Sequence, residues 1–247
     1  MPTTRRTASL TAAALLAALA AATPAGAVGR TGPAIRGHSP RQGQISESTS
    51  ANWAGYDTTG GPYTRITADW VQPAVRCSAA ESYSSLWIGL DGDGSKSVEQ
   101  TGTEADCWGG APQYSAWYEM YPAYPVTFQE PVRAGDRFSS SVATDGRGAF
   151  TLVLADATRH WSRTVRATLH GAALASAEIV AEAPSDNRTV LPLSDFGAAS
   201  FTHATVNGLP LGDFRPDRIV MAAGRTTKAL TTGLARGEDF TVTWRHS

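Results

Sequence analysis

Short runs that alternate apolar and polar residues, separated by turn signals, constrain the fold of this chain more than any other feature. In the run TRITADWVQ (64–72), Ile66, Ala68 and Trp70 share one face, because successive side chains of a strand point to opposite sides. Nine further runs read as strands, at 84–90, 113–121, 137–145, 149–156, 161–169, 176–182, 199–206, 217–223 and 239–246. Gly, Pro and Asn-Gly turn signals lie between the runs, and no segment after the first thirty residues has convincing helical periodicity. The pattern predicts an all-β fold, an antiparallel sandwich or barrel.

The N-terminal part of the chain has a different character. Residues 1–27 begin with Arg5 and Arg6, continue as an apolar run of small residues and close on an A-x-A cleavage pattern, which predicts a secretory signal peptide. Residues 28–49 are polar with almost no large apolar side chain, which predicts a linker or a propeptide. Residues 50–247 are long enough for one domain with a sizeable core. We therefore expect a secreted protein with a single folded domain.

The net charge and the lengths of the apolar segments argue against two classes of partner, nucleic acid and membrane. From residue 51 onward the chain has 16 Lys and Arg against 21 Asp and Glu, a net charge of −5, and no basic stripe. Nucleic acid is therefore an unlikely ligand. No segment after the signal approaches the ~18 uninterrupted apolar residues of a membrane span. We expect a monomer that binds neither nucleic acid nor membrane.

The chain has two cysteines, Cys77 and Cys107. An exported protein folds in an oxidising compartment, so we expect them to form one disulfide. The loop-entropy relation gives such a bond a stabilisation on the order of 3 kcal/mol. Two cysteines without a nearby histidine make a poor zinc site.

Several familiar catalytic motifs are absent from the sequence. There is no G-x-S-x-G serine elbow and no H-E-x-x-H zinc motif. The segment 91–102 begins like a calcium-binding loop, but Lys96 stands where that loop needs Gly and Gly102 where it needs Glu. We therefore expect neither a metal nor an organic cofactor.

The segment SAEIVAE (176–182) combines an apolar strand with two carboxyl groups. By alternation, Glu178, Val180 and Glu182 share one face, and Ile179 points to the other. A face with two acids is either a solvated surface or the floor of a site. The surface interpretation is the default until another part of the chain requires a carboxylate here.

Six segments taken together indicate that a carboxylate is required at this position. They are SANWAGY (50–56), WVQPAV (70–75), LWIGLDG (86–92), VEQTGTEAD (98–106), YSAWYEMYP (114–122) and AEIVAEAPS (177–185). In this order they closely resemble the glutamic peptidases, or eqolisins, of the scytalidoglutamic type, and the resemblance extends from about residue 50 to the end. It implies an antiparallel β-sandwich of two seven-stranded sheets, a lectin-like jelly roll, with endopeptidase activity on polypeptides at acid pH.

The resemblance also implies the site residues. The family's catalytic Gln matches Gln100, and its catalytic Glu matches Glu178. Glu178 would take a proton from water and pass it to the leaving amine, while the Gln100 amide stabilises the oxyanion. Four further residues are candidates for substrate binding: Trp87, Asp91, Glu119 and Glu182.

Three alternatives remain open at this point. Ile179 stands where the family usually has Trp, which suggests an inactive relative that only binds peptides. A register in which Glu182 is the catalytic acid is a second possibility. A carbohydrate-binding or glycoside-hydrolysing sandwich is the third, because aromatic side chains on a concave sheet suit sugars and a retaining glycosidase needs two acids ~5 Å apart.

Overall fold

The computed structural model describes residues 49–186 and 189–247, which form an all-β structure. The predicted signal peptide and residues 28–48 of the predicted linker or propeptide lie outside the described residues. Within the described ranges no helix has the length and apolar character needed to cross a membrane.

All ten predicted strands are present, and six more join them. The strands are β1 (Thr49–Ser50), β2 (Trp53–Thr59), β3 (Arg65–Val71), β4 (Ser85–Leu90), β5 (Val98–Trp108), β6 (Ala111–Tyr121), β7 (Val126–Thr127), β8 (Arg137–Thr144), β9 (Ala149–Asp156), β10 (Trp161–Thr168), β11 (Ser176–Glu182), β12 (Ala198–Val206), β13 (Leu209–Pro210), β14 (Asp217–Ala223), β15 (Thr226–Thr231) and β16 (Phe240–Trp244). A single turn of 3-10 helix, Leu211–Phe214, follows β13.

Hydrogen bonding orders most of the strands along one path. That path is β10-β9-β8-β3-β12-β16-β15-β14-β2-β11-β4-β5-β6-β7. Its pairs are antiparallel, and the short β1 pairs in parallel with β14. We call the strands along this path from β10 to β14 the first sheet and those from β14 to β7 the second sheet.

Strand β14 belongs to both sheets, which corrects the prediction in one detail. Its first half, at Asp217 to Ile219, pairs with β2, and its second half, from Met221 to Ala223, pairs with β15. The all-β antiparallel class is confirmed. The two sheets, however, are joined through β14 instead of being separate.

The main core lies between the two sheets. The buried Trp70 of the first sheet stacks on Phe138 and donates a hydrogen bond from its indole N–H to Thr103 Oγ1 of the second sheet, at 3.0 Å. A second apolar cluster lies on the other face of the second sheet, and it consists of Trp53, Trp87, Val98, Trp117, Val180 and Ile219. The second sheet therefore buries apolar side chains on both faces.

The disulfide between Cys77 and Cys107 is confirmed. It joins the segment after β3 to the end of β5, with 5.3 Å between the two Cα atoms. It fixes the end of the strand that carries Gln100.

Candidate active site

One row of residues crosses the second sheet on the face opposite the main core. Glu178 on β11 lies directly opposite Asp57 on β2 and Gly89 on β4. Gly89 in turn lies opposite Gln100 on β5, and Gln100 opposite Glu119 on β6. Directly opposed residues of adjacent strands project to the same side of a sheet. We call these five residues the polar row; the four that carry polar side chains are at most 1 % exposed.

Gly89 leaves a gap in the polar row between Glu178 and Gln100. Adjacent strands lie about 4.8 Å apart, so the backbones of β11 and β5 are about 10 Å apart. A Cβ atom on residue 89 would lie 3.0 Å from Gln100 Cβ and 3.1 Å from the Trp87 ring. No side chain therefore lies between the carboxyl group of Glu178 and the amide of Gln100 in this row.

Glu178 is a fully buried carboxyl group that retains its proton unusually well. Burial raises its pKa well above the ordinary value; a Ser176 hydrogen bond opposes the rise, and the charge of Asp57 adds to it. Its Oε1 accepts a hydrogen bond from the Asp93 N–H at 3.2 Å, and Oε2 has no hydrogen-bond partner among the described residues. Such a group can both accept and donate a proton.

Gln100 is oriented by the next residue of the row. Its Nε2 donates a hydrogen bond to Glu119 Oε2 at 2.6 Å. A primary amide has two N–H donors, so this bond leaves the second one for another acceptor. Glu119, predicted to bind substrate, is therefore placed to hold the amide in a fixed orientation.

Glu182 lies two rows away from Glu178 on the same face, and its oxygens are engaged. Trp87 donates its indole N–H to Oε2 at 2.7 Å, and Asn52 donates its amide to Oε1 at 3.3 Å. Trp87 also packs edge-on against Trp53, with 5.1 Å between the ring centroids. The structure thus brings Trp87 and Glu182 together as a buried support beside the polar row.

Asp91 lies just beyond β4, next to the polar row. Its carboxylate accepts hydrogen bonds from the backbone N–H groups of Leu174 (2.8 Å) and Ala175 (2.7 Å). Its own N–H donates to the Ser176 carbonyl at 3.0 Å. Asp91 therefore fixes the start of β11, and with it the position of Glu178; direct contact with a substrate stays a prediction.

The loop after Asp91 also fits closely around the carboxyl group. A Cβ atom on Gly92 would lie 2.8 Å from the Trp53 ring and 3.0 Å from the carboxyl carbon of Glu178. Only glycine allows the backbone to come this close. Ile179, as alternation predicts, points away and packs in the main core.

Comparison with known proteins identifies the family of this chain. The chain matches the Peptidase A4 family over residues 51–244. It is 28 % identical over 228 residues to Aspergillopepsin-2 of Aspergillus niger, covering 82 % of this chain and 80 % of that protein. The chain belongs to the Peptidase A4 family. It is a glutamic endopeptidase, a hydrolase that acts on polypeptides.

Solved structures show the same fold. Scytalido-glutamic peptidase, crystallised with a transition state analog inhibitor, matches with a TM-score of 0.70 at 19 % identity, covering 79 % of this chain and 98 % of that one. Aspergilloglutamic peptidase from Aspergillus niger matches with a TM-score of 0.59 at 24 % identity, covering 66 % and 99 %. The eqolisin SCP-B, in complex with the tripeptide Ala-Ile-His, has a TM-score of 0.65 at 19 % identity, with 79 % and 98 % covered.

The structure also adds residues to the candidate site that were not predicted from the sequence. Asp57 joins the polar row, Trp53 and Trp117 join the apolar cluster beside it, and Glu104 lies on the same face of β5 as Gln100. The quoted segment SANWAGY ends one residue before Asp57, although alternation from Trp53 would have placed residue 57 on the same face. In the described ranges no three His, Cys, Asp or Glu side chains are grouped as metal ligands.

Proposed function

We propose that this glutamic endopeptidase is secreted, acts at acid pH and hydrolyses peptide bonds with Glu178 and Gln100 as its catalytic pair. The observation that carries the proposal is the gap at Gly89, with a carboxyl group on one side and an oriented amide on the other. A peptide bond in this gap can meet a base and an oxyanion donor at the same time.

In the proposed reaction a peptide and water enter beside Glu178 and reduce the burial that raises its pKa, so the carboxyl group can be ionised at acid pH and act first as a base. It removes a proton from a water molecule, and the water oxygen forms a bond to the scissile carbonyl carbon. The free N–H of the Gln100 amide stabilises the negative charge on the carbonyl oxygen. The Glu178 proton then passes to the amine nitrogen as the C–N bond breaks, which returns the carboxylate to its starting state.

Two observations support Glu178 over Glu182 as the reacting acid. Glu182 is held by the indole of Trp87 and the amide of Asn52, whereas Oε2 of Glu178 accepts no hydrogen bond among the described residues. Glu178 also lies in the same row as Gln100, while Glu182 lies opposite Ser85. We therefore assign Trp87 and Glu182 to supporting the site.

The experiment that tests the proposal compares Glu178→Gln with Glu182→Gln in the purified protein. Glu178→Gln keeps the shape and removes the titrating group, so hydrolysis of a quenched peptide between pH 2 and 7 should fall to background. Glu182→Gln should keep most of the activity. The opposite result would assign the reaction to Glu182, and normal activity of both variants would exclude a glutamic mechanism.

We also propose that residues 1–27 are removed on secretion and that residues 28–49 are then removed by proteolysis. Residues 28–49 have almost no large apolar side chain, so they are too polar to form part of the core of the domain, which supports their removal. Sequencing the N-terminus after acid incubation checks this, because full activity of a protein that still begins at Val28 would contradict it.

A further inference from the structure

Two further carboxyl groups follow Glu178 across the sheet: Asp57, which ends the polar row, and Asp217, one strand beyond it. Asp57 on β2 lies directly opposite Glu178, and Asp217 on β14 lies directly opposite Asp57. Asp57 and Glu178 are both fully buried, whereas Asp217 is exposed. Opposed side chains on adjacent strands have Cβ atoms about 5 Å apart, so the first two carboxyl groups interact strongly and the third is screened by water.

The groups around Glu178 divide by function. Across β4 the row has no side chain until Gln100, and Glu119 lies beyond it. From the loop, Asp93 donates its backbone N–H to Glu178, and the carboxylate of Asp91 accepts hydrogen bonds from the N–H groups of Leu174 and Ala175. Asp57 is the remaining acid, and it lies directly opposite Glu178 on the adjacent strand.

We propose that Asp57 is a positioning residue that acts on the reaction through Glu178. Because its carboxyl group lies directly beside that of Glu178, it favours the protonated form of Glu178. Two carboxylates side by side in a buried place cannot both ionise easily. Burial is the main cause of the raised pKa of Glu178, and the negative charge of Asp57 raises it further. The inference rests on the proposed catalytic role of Glu178.

For the reaction, Asp57 makes Glu178 a stronger base toward water once it is ionised. The same neighbour delays that ionisation to higher pH as the protein is titrated. Asp57 therefore sets where activity begins on the acid side of the pH profile, and it does so without touching the substrate.

The test compares Asp57→Asn with Asp217→Asn, which is a matched control one strand further from Glu178. In Asp57→Asn the acid limb of kcat/KM should move to lower pH, so that activity on this limb, relative to the plateau, rises several-fold. In Asp217→Asn the limb should stay in place, and Asp57→Glu should restore the original profile. An unmoved limb in a folded Asp57→Asn protein would overturn the inference.

A second measurement needs neither enzyme activity nor a variant of Asp57. In the secreted protein labelled with ¹³C at Glu carboxyl carbons, the Glu178 signal is identified by its loss in Glu178→Gln and followed against pH. Coupled neighbours titrate in two steps that belong to the pair. A single simple titration step at Glu178 would overturn the role of Asp57, even if Glu178→Gln confirms the catalytic assignment.

Discussion

At the scale of single residues, the amide of Gln100 shows how a neighbouring acid can orient a neutral side chain. Glu119 accepts one of its N–H groups at 2.6 Å, which fixes the plane of the amide. The second N–H then has a defined direction before substrate arrives, and a preorganised donor of this kind needs no rearrangement during the reaction.

Replacing Gln100 by Ala should therefore lower kcat by ~10²-fold or more, because one oxyanion donor is lost. Steady-state kinetics on a quenched peptide at the best pH of the enzyme would measure this. Gln113→Ala, at an exposed position on β6, is the control and should have normal kcat. A Gln100→Ala enzyme with the same kcat as Gln113→Ala would remove Gln100 from the catalytic pair.

At the scale of elements, two of the five strands that carry the candidate site, β5 and β2, have sequences without a clear strand pattern. β5 reads VEQTGTEADCW, with polar or small residues on both faces over most of its length, and alternation does not reveal it. It forms because β4 and β6 hydrogen-bond to it on both sides. In addition, Trp70 of the first sheet donates a hydrogen bond from its indole N–H to the Thr103 hydroxyl. β2, which carries Asp57, was missed for a similar reason.

The fit between β4 and β5 gives a prediction for Gly89. In Gly89→Ala the added Cβ would press on Gln100 Cβ at 3.0 Å and on the Trp87 ring at 3.1 Å. A displacement of a catalytic group by about 1 Å can cost ~10²-fold in rate, so we expect kcat/KM to fall by this order.

Gly233→Ala is a suitable control, since a Cβ atom there meets nothing within 4 Å. It should leave kcat/KM unchanged, and circular dichroism should show both variants folded. Normal kcat/KM in Gly89→Ala would mean that the gap in the polar row is not where the substrate binds.

At the scale of the whole molecule, a buried acid in the interior links folding to pH. Glu99 is next to Gln100 on β5, so its side chain points to the opposite face, into the sandwich. There it lies between Leu90 and Met120 of the adjacent strands. It is 0 % exposed, and neither carboxyl oxygen meets the geometry of a hydrogen bond. Burial raises its pKa from 4.5 to about 8; the nearby Ser97 hydroxyl lowers it somewhat, and the charge of Asp91 adds to the rise.

Between pH 4.5 and about 8 the folded protein keeps the proton of Glu99 and the unfolded chain does not, so the free energy of unfolding should fall as pH rises. The stability that the protonated Glu99 contributes is fully present below pH 4.5 and is lost between pH 4.5 and about 8. Over this window the loss is on the order of 5 kcal/mol. Glu178, whose pKa is also raised, changes stability in the same direction.

Urea unfolding of Glu99→Gln between pH 3.5 and 8 would isolate this effect, because Glu178 is present in both proteins. The variant should match the parent at pH 3.5, where both side chains are neutral, and exceed it increasingly toward pH 8. Glu81→Gln, at an exposed position, is the control and should follow the parent throughout. Parallel curves for Glu99→Gln and the parent would contradict the raised pKa of Glu99.

The sequence by itself determined the all-β class, the ten clearly alternating strands and the disulfide, because period-two alternation and the pairing of two lone cysteines are local or compositional signals. It also placed Glu178 and Ile179 on opposite faces of β11. Through its resemblance to the glutamic peptidases it led to the family that the comparisons establish.

Only the tertiary structure decided which side chains meet. The polar row is built from β2, β11, β4, β5 and β6, and Asp57 lies opposite Glu178 although 121 positions separate them in the numbering. Alternation gives the face of a residue but not the register between strands. That register is set by long-range pairing and by core packing on the other side of the sheet, and it alone places a gap at Gly89 between a carboxyl group and an amide.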